Sequence, residues 1–144
     1  MNKPTDQKIT LAKPLATYSH SRRVGSLVYF AGQGCRDPLT NMWAGVMFSE
    51  DGRPVAFDFE AQVRGVLRNV EAVLAKETLT RHHIVDVQVF LTDMSTQFSV
   101  LNKIWNEFFE ASKCPPVRTT VGVKELPGLN LVEMKVIASV DLPL

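Results

Sequence analysis

The chain has 144 residues and a net charge of +1, with 45% hydrophobic and 22% charged residues, which is the composition of one globular domain. The near-neutral charge gives no electrostatic reason to expect nucleic acid or an anionic membrane as a partner. No apolar run is long enough to span a bilayer, the N-terminus lacks a signal-peptide core, and the two cysteines form no Cys-x-x-Cys pair. We therefore expect a cytoplasmic protein with free thiols.

The N-terminal part of the chain is predicted to contain two paired strands. We expect one domain over residues 1–144, with a loosely held segment at residues 1–12. Residues 16–23 and 26–33 have the composition of strands, and the second is rich in β-forming side chains. Gly25 lies where the two strands would be joined.

A hairpin signal and a helix signal follow. Asp51-Gly52 lies between apolar runs, which predicts a short accessory ribbon within residues 41–57. Asp58 can cap a helix over residues 59–76. The apolar residues of that helix recur at helical spacing and form a single stripe: Phe59, Val63, Val66, Leu67, Val70, Val73 and Leu74.

The second half of the chain contains three further strand patterns and one more helix. The alternation within residues 84–91 predicts Val85, Val87, Val89 and Leu91 on one face of a strand and Phe90 on the other. The remaining predicted elements are a helix over residues 95–111 and strands over residues 117–123 and 131–140.

The order of the elements predicts an α+β fold. Two helices among these strands can cover only one face of a mixed sheet. The other face keeps Phe90, Ile137 and either Phe30 or Tyr29, and apolar side chains on an open face imply a partner surface. A homo-oligomer is the simplest way to cover that face.

Two charged residues, Arg118 and Glu133, lie inside these apolar strands. A charge there costs free energy unless it has a partner or a task. A guanidinium matches a carboxylate in shape, and a carboxylate can accept a proton or hold a water molecule. If the more apolar face of each strand meets the helices, both side chains point to the helix-free side and indicate a site for a small organic acid. A structural ion pair is the alternative.

Four stretches of sequence carry a resemblance to a known family. They are Tyr18-Ser19-His20, Ala31-Gly32-Gln33-Gly34, the run from Val87 to Met94, and Pro116-Val117-Arg118-Thr119-Thr120-Val121 followed by Val132-Glu133-Met134. In their order and spacing, from about residue 12 to the C-terminus, the chain resembles the RidA/YjgF/UK114 family of enamine and imine deaminases. Within that family it is most similar to the 2-aminomuconate deaminases of aromatic-compound catabolism.

The resemblance implies a homotrimer with a chorismate-mutase-like α+β fold and ligand clefts between subunits. It also implies that Arg118 grips the substrate carboxylate, Glu133 positions the attacking water, Tyr18 lines the pocket and Gly32 offers its backbone. Thr120 stands where many members have cysteine. This difference argues against thiol chemistry and leaves the backbone N–H available.

We therefore predict a hydrolase that converts an enamine or imine of a small mono- or dicarboxylic acid, in first place 2-aminomuconate, to the keto acid and ammonia without a metal or another cofactor. Arg118 and Glu133 are the predicted catalytic residues. The predicted substrate-binding residues are Tyr18, Gly32, Gln33, Arg36, Phe90 and Thr120.

A dicarboxylate has a second carboxylate to bind. Arg36 is the nearest basic candidate in sequence, and Arg22 and Arg23 are the other candidates. Each of the three is otherwise a solvated surface charge. His20 follows Tyr18 by two residues and could share its face of the strand.

Two other functions stay open from the sequence. One is a general scavenger of reactive 2-imino acids and enamines. The other is a non-catalytic ligand-binding or chaperone-like trimer, as described for some members of the family. Ribonuclease activity fits poorly, because the chain has no basic stripe.

Overall fold

A computed structural model describes residues 9–142 and contains seven strands and two α-helices within that range. The elements in chain order are β1 Ser21–Val24, β2 Leu27–Phe30, β3 Val46–Phe48, β4 Pro54–Phe57, α1 Phe59–Lys76, β5 Ile84–Leu91, α2 Met94–Phe108, β6 Val117–Gly122 and β7 Val132–Ser139. Residues 1–8 of the segment expected to be loosely held lie outside the described residues.

Five strands form one mixed sheet in the order β1-β2-β7-β5-β6. Neighbouring strands are antiparallel except β5 and β6, which run parallel with α2 as the connection between them. The strands β3 and β4 form a separate two-stranded ribbon, as the Asp51-Gly52 pattern predicted. The predicted α+β class with a mixed sheet and two helices is therefore confirmed.

The core lies between one face of the sheet and the two helices. Asp58 caps α1 by accepting a hydrogen bond from the backbone N–H of Ala61 at 3.1 Å. Each aliphatic side chain buried in this layer stabilises the fold by about 1.5–3 kcal/mol, which determines the face that each strand turns inward. The inward residues of the sheet are Val28, Phe30, Val87, Val89, Leu91, Val132, Met134, Val136 and Ala138.

One residue of β5 departs from the predicted alternation. The register between β5 and β7 shifts between Ile84 and Asp86, as a β-bulge does. Ile84 is therefore buried, while Val85 is 44% exposed. The prediction that Val85 shares a face with Val87 is wrong, because a bulge adds one residue without changing the apolar pattern.

No helix within residues 9–142 is long and apolar enough to cross a membrane. Residues 9–18 contain no helix or strand. Leu11 nevertheless packs against the core, so this part of the N-terminal segment lies on the folded domain.

Candidate functional site

A cleft opens beside the end of β2, and it gathers five of the eight predicted site residues. Its volume is about 730 Å³, including the solvent at its mouth. One wall is the segment that follows β2, residues 31–36. The lining residues are Leu11, Ala12, Pro14, Leu15, Tyr18, His20, Ala31, Gly32, Gln33, Gly34, Arg36, Trp43, Asn69, Pro127, Asn130 and Glu133.

The carboxylate of Glu133 lies against the backbone of Gly32. A Cβ atom at Gly32 would lie 3.3 Å from Oε1 of Glu133, so the glycine leaves room for the carboxylate. Two backbone hydrogen bonds between Gln33 and Met134, of 2.8 and 3.0 Å, hold the two segments together. The bridge between Gln33 and Met134 lies beyond the β2–β7 pairing, and it brings the neighbouring positions 32 and 133 together.

Glu133 is a half-buried acid without a local partner. Its carboxylate makes no hydrogen bond or ion pair with any residue in the range 9–142. Burial raises the pKa of Glu133, because desolvation disfavours the charged form. A carboxylate with free lone pairs and a raised pKa is suited to accept a proton from water.

Two amide side chains hold the cleft wall in place. Asn69 of α1 donates hydrogen bonds to the carbonyls of Gly34 and Arg36 at 2.8 and 2.9 Å. Oδ1 of Asn130 accepts a hydrogen bond of 2.9 Å from the N–H of Cys35. A Cβ atom at Gly34 would lie 2.5 Å from that same Oδ1, so the position has space for glycine alone. Sequence reasoning missed both amides, because nothing in the pattern distinguishes them from surface amides.

The N-terminal segment covers one side of the cleft. The backbone N–H of Leu15 donates to Oη of Tyr18 at 3.3 Å. The guanidinium of Arg36 donates to the carbonyl of Lys13. Tyr18 and Arg36, both predicted from sequence, therefore lie in the cleft and tie down the segment above it.

His20 also lines the cleft. Its backbone carbonyl accepts a hydrogen bond of 2.9 Å from Ala31, which places it beside the same wall. Burial, and to a smaller extent the charge of Lys76, lower the pKa of His20. The imidazole is therefore biased toward its neutral form.

Arg118 lies on the helix side of the sheet. Its Nη2 donates a hydrogen bond of 2.7 Å to Oδ1 of Asn102 in α2. Its guanidinium carbon lies 4.9 Å from the centre of the Trp105 ring and 5.8 Å from that of Phe98. Burial lowers the pKa of Arg118 from its usual value, but a guanidinium stays protonated in proteins.

The prediction that Arg118 and Glu133 share the helix-free face is therefore wrong. It assumed that the more apolar face of β6 meets the helices. β6 is an edge strand, and its apolar face points to the open side, where Val117 is 66% exposed. The long side chain of Arg118 can cover apolar surface on α2 while its charged end stays at the edge.

Within a single chain, the two predicted catalytic residues, Arg118 and Glu133, therefore lie apart. Arg118 is level with Val87, whose partner on β7 is Val136, three positions from Glu133. The strand β5 lies between them, and their side chains point to opposite faces.

The two remaining predicted site residues, Phe90 and Thr120, also lie on opposite faces of the sheet. Phe90 pairs with Glu133 and shares its open face, although it does not line the cleft. Thr120 pairs with Val89 and shares the helix face with Arg118. The site residues therefore form two groups, one around the cleft and one at the β6 edge.

Other reactive groups give little support to different chemistry. Burial raises the pKa of the Cys35 thiol to about 11, so it is a poor nucleophile at neutral pH. No cluster of three or more histidine, cysteine or acidic side chains able to hold a metal ion occurs within residues 9–142. Arg22 and Arg23 do not line the cleft, and Arg23 donates to the carbonyl of Gly25 at 2.9 Å.

Comparison with known proteins identifies relatives over most of the chain. The family model described as Endoribonuclease L-PSP matches residues 9–140. A RutC family protein of Pyrococcus abyssi is 33% identical over 126 residues, covering 88% of each chain. The RutC family protein YjgH of Escherichia coli is 37% identical over 123 residues, covering 85% of this chain and 82% of its own.

Solved structures agree with this relationship. RidA from an Antarctic Psychrobacter has a TM-score of 0.77 at 30% identity, with 96% of this chain and 100% of that chain covered. Escherichia coli TdcF, solved with bound serine, has a TM-score of 0.78 at 25% identity, with 94% and 97% covered. The match over residues 9–140, the relatives above 30% identity and the shared fold together show that the chain belongs to the Rid/YjgF/RutC family, whose model bears the name Endoribonuclease L-PSP.

Proposed function

We propose that this protein is a deaminase that hydrolyses an enamine or imine of a small carboxylic acid to a keto acid and ammonia, with 2-aminomuconate as the first candidate substrate. The observation that carries the proposal is the carboxylate of Glu133, which has no hydrogen-bond or ion-pair partner within residues 9–142, is half-buried in a cleft and lies beside Gly32. Proton transfer to and from water is the chemistry for which such a group is suited.

In this mechanism Glu133 acts as the general base and general acid. A water molecule attacks the carbon of the protonated C=N group, and Glu133 accepts a proton from that water. The proton then passes to the amine nitrogen of the tetrahedral intermediate. The C–N bond breaks with its electron pair on nitrogen, the hydroxyl proton returns to Glu133 as the carbonyl forms, and ammonia then takes up that proton as ammonium.

Arg118 binds the carboxylate beside the reacting carbon in this proposal. Its guanidinium has five N–H donors, and one of them bonds to Asn102. Because Arg118 and Glu133 of one chain point to opposite faces of the sheet, a site with both groups requires Arg118 from a neighbouring copy. Thr120 accompanies Arg118 and offers its backbone N–H, so no thiol is needed.

A homotrimer with clefts between subunits is part of the same proposal. The sheet face opposite the helices carries apolar side chains that need a cover. Phe90 and Ile137 are half-buried there, and these exposed residues surround them: Leu27, Tyr29, Val117 and Val121. A head-to-tail ring can bring the β6 edge of one copy to the cleft of the next.

Arg36 is the candidate for a second carboxylate. It lines the same cleft as Glu133, whereas Arg22 and Arg23 do not. Gln33 lines the same cleft, and its side-chain amide donates to the carbonyl of Ala31 at 2.8 Å. The N–H groups of Arg36 that do not bond to Lys13 are available to a ligand.

Ammonia release from 2-aminomuconate, compared with release from 2-iminopropionate, tests the proposal. We expect turnover of at least one substrate, and loss of turnover in Glu133→Gln with an unchanged oligomer. Faster release from 2-iminopropionate would favour a general imine scavenger. No release from either acid, with tight binding of both, would favour a non-catalytic ligand-binding or chaperone-like protein and would overturn the enzyme assignment.

A further inference from the structure

The tight turn that precedes β3 delivers two side chains to the cleft. Arg36 and Trp43 face each other in an antiparallel bridge, so their side chains lie on the same side of the turn, and both line the cleft. The backbone N–H of Asp37 donates to the carbonyl of Met42 at 2.7 Å and closes the turn. Asn41 takes the left-handed conformation, with φ of 63°, that this closure requires.

The indole of Trp43 is held by a glycine in the opposite loop. A Cβ atom at Gly128 would lie 2.5 Å from Cζ2 and 2.9 Å from Nε1 of Trp43. Gly128 has a φ of 64°, so both its backbone conformation and the close indole favour glycine. Trp43 is therefore a fixed, flat, apolar wall of the cleft.

Arg36 supplies the positive charge next to this wall. The arginines at positions 53, 64, 68 and 81 are paired with acidic side chains. Arg36 instead donates to a backbone carbonyl, that of Lys13, and has no acidic partner within residues 9–142. An arginine that lines a cleft without a counter-ion is suited to bind an anion.

Glu133 and Arg36 contribute to one cleft from two different segments of the chain. Gly32 lies beside Glu133, and Arg36 follows Gly32 by four residues along the same wall of the cleft. The side chains of Tyr18 and Trp43 add aromatic surface along the way. An acid with a second carboxylate several carbons beyond the reacting centre has a group for Arg36 to bind, and a three-carbon monocarboxylic acid has none.

We propose that Arg36 and Trp43 form a distal subsite that selects extended, planar, unsaturated dicarboxylates. Trp43 stacks on the conjugated carbon chain and Arg36 binds the distal carboxylate. The inference rests on the proposed deaminase function for the reacting end of the ligand. It adds a specificity-determining residue, Trp43, and assigns a role to the turn between residues 36 and 43.

Two measurements on the full-length oligomer test the subsite. The first is kcat/KM for 2-aminomuconate and for 2-iminopropionate. The second is equilibrium binding of cis,cis-muconate and of pyruvate by calorimetry, which needs no turnover. The variants are Trp43→Ala, Trp43→Phe and Arg36→Ala. Met42→Ala and Arg53→Ala are matched controls, because both residues are exposed and lie outside the cleft.

We expect Trp43→Ala and Arg36→Ala to weaken the six-carbon diacids by about tenfold or more and to change the three-carbon acids by less than about twofold. Trp43→Phe should retain most of the preference, because it keeps an aromatic wall. Melting curves identify any variant that fails to fold, and if Trp43→Ala does so, the selective loss expected in Arg36→Ala is the test of the subsite.

The outcomes separate the subsite from the deaminase. Muconate binding that depends on Trp43 and Arg36, without turnover of either substrate, would support the subsite and remove the deaminase function. Turnover with equal losses for long and short acids in both variants would support the deaminase and overturn the subsite. Equal affinity of the wild-type protein for muconate and pyruvate would also overturn it.

Discussion

Arg118 donates a 2.7 Å hydrogen bond to Oδ1 of Asn102, and this bond links the edge strand β6 to helix α2. The aromatic ring of Trp105 lies 4.9 Å from the guanidinium carbon and restricts it on another side. Neither neighbour is an acid. The guanidinium is therefore oriented without being neutralised, as a binding site for a carboxylate requires.

Replacing Asn102 should weaken substrate binding. Asn102→Ala removes a hydrogen bond to a charged group, which is worth about 1.5–3 kcal/mol, and partial exposure favours the lower end. We expect a loss of about tenfold in kcat/KM. Asn102→Asp should be worse, because its carboxylate competes with the substrate for Arg118.

The control for this prediction is Asn106→Ala, one turn further along α2 at an exposed position. Steady-state kinetics on all three variants measure the effect. Equal kinetics for Asn102→Ala and Asn106→Ala would show that Asn102 does not orient the arginine.

Mixing two inactive variants should restore activity. If Arg118 and Glu133 act from different copies, Arg118→Ala and Glu133→Gln subunits complement each other. Every closed ring of three that contains both variants has one intact junction, so random mixing gives about a quarter of wild-type activity. The measurement is ammonia release after the two variants are unfolded and refolded together. Activity that stays at background in the mixture, with mixed oligomers confirmed by native mass spectrometry, would contradict a shared site.

Because the pKa of Glu133 is raised, we expect the acid limb of the profile of kcat/KM against pH to lie at a higher pH than for an ordinary glutamate. The carboxylate form is the base, so kcat/KM should rise with pH through a pKa above that of an ordinary glutamate. A pH–rate profile measures it. An acid limb at the pKa of a free glutamate would contradict a desolvated Glu133.

The same shift predicts the sign of a stability change. A folded-state pKa above the unfolded value favours the protonated form, so this contribution to stability is present below the unfolded pKa and is lost as pH rises through the folded pKa. Glu133→Gln should therefore raise the melting temperature at pH 7 and leave it nearly unchanged at pH 4. Thermal unfolding at both pH values measures this, and destabilisation at pH 7 would contradict it.

The contact between Gly34 and Asn130 predicts a specific coupling. Gly34→Ala places a Cβ atom 2.5 Å from Oδ1 of Asn130, and such overpacking costs about 1–3 kcal/mol. In an Asn130→Ala background the added cost should fall to near zero, because the obstructing amide is gone. Gly122→Ala is the control, since the nearest atom to its Cβ is 4.0 Å away. Urea unfolding measures all four variants, and purely additive effects would contradict the contact.

Regular patterns in the sequence predicted the fold well for elements that bury one face and expose the other. The stripe of α1 and its cap at Asp58 match the observed helix, because burial of one face and helix capping act locally. The same logic failed at β6. An edge strand is only partly covered, so Arg118 could turn toward the helix and Val117 toward solvent.

The site was less accessible to prediction. Tyr18, Gly32 and Glu133, the positions that the family resemblance implied, line one cleft together with Gln33 and Arg36, whereas Arg118 of the same chain does not line it. Asn69 and Asn130 gave no such signal, because their role depends on hydrogen bonds to a wall that exists after the chain has folded.

The pairing of β2 with β7 has a consequence for how the cleft is built during folding. Gly32 and Glu133 are 101 residues apart, and bringing together such distant segments is a late and slow step. The two helices and the β5–β6 pair depend on shorter separations and can form earlier. The cleft therefore forms only once β7 has paired with β2, and a chain that ends before β7 lacks Glu133 and with it one wall of the cleft.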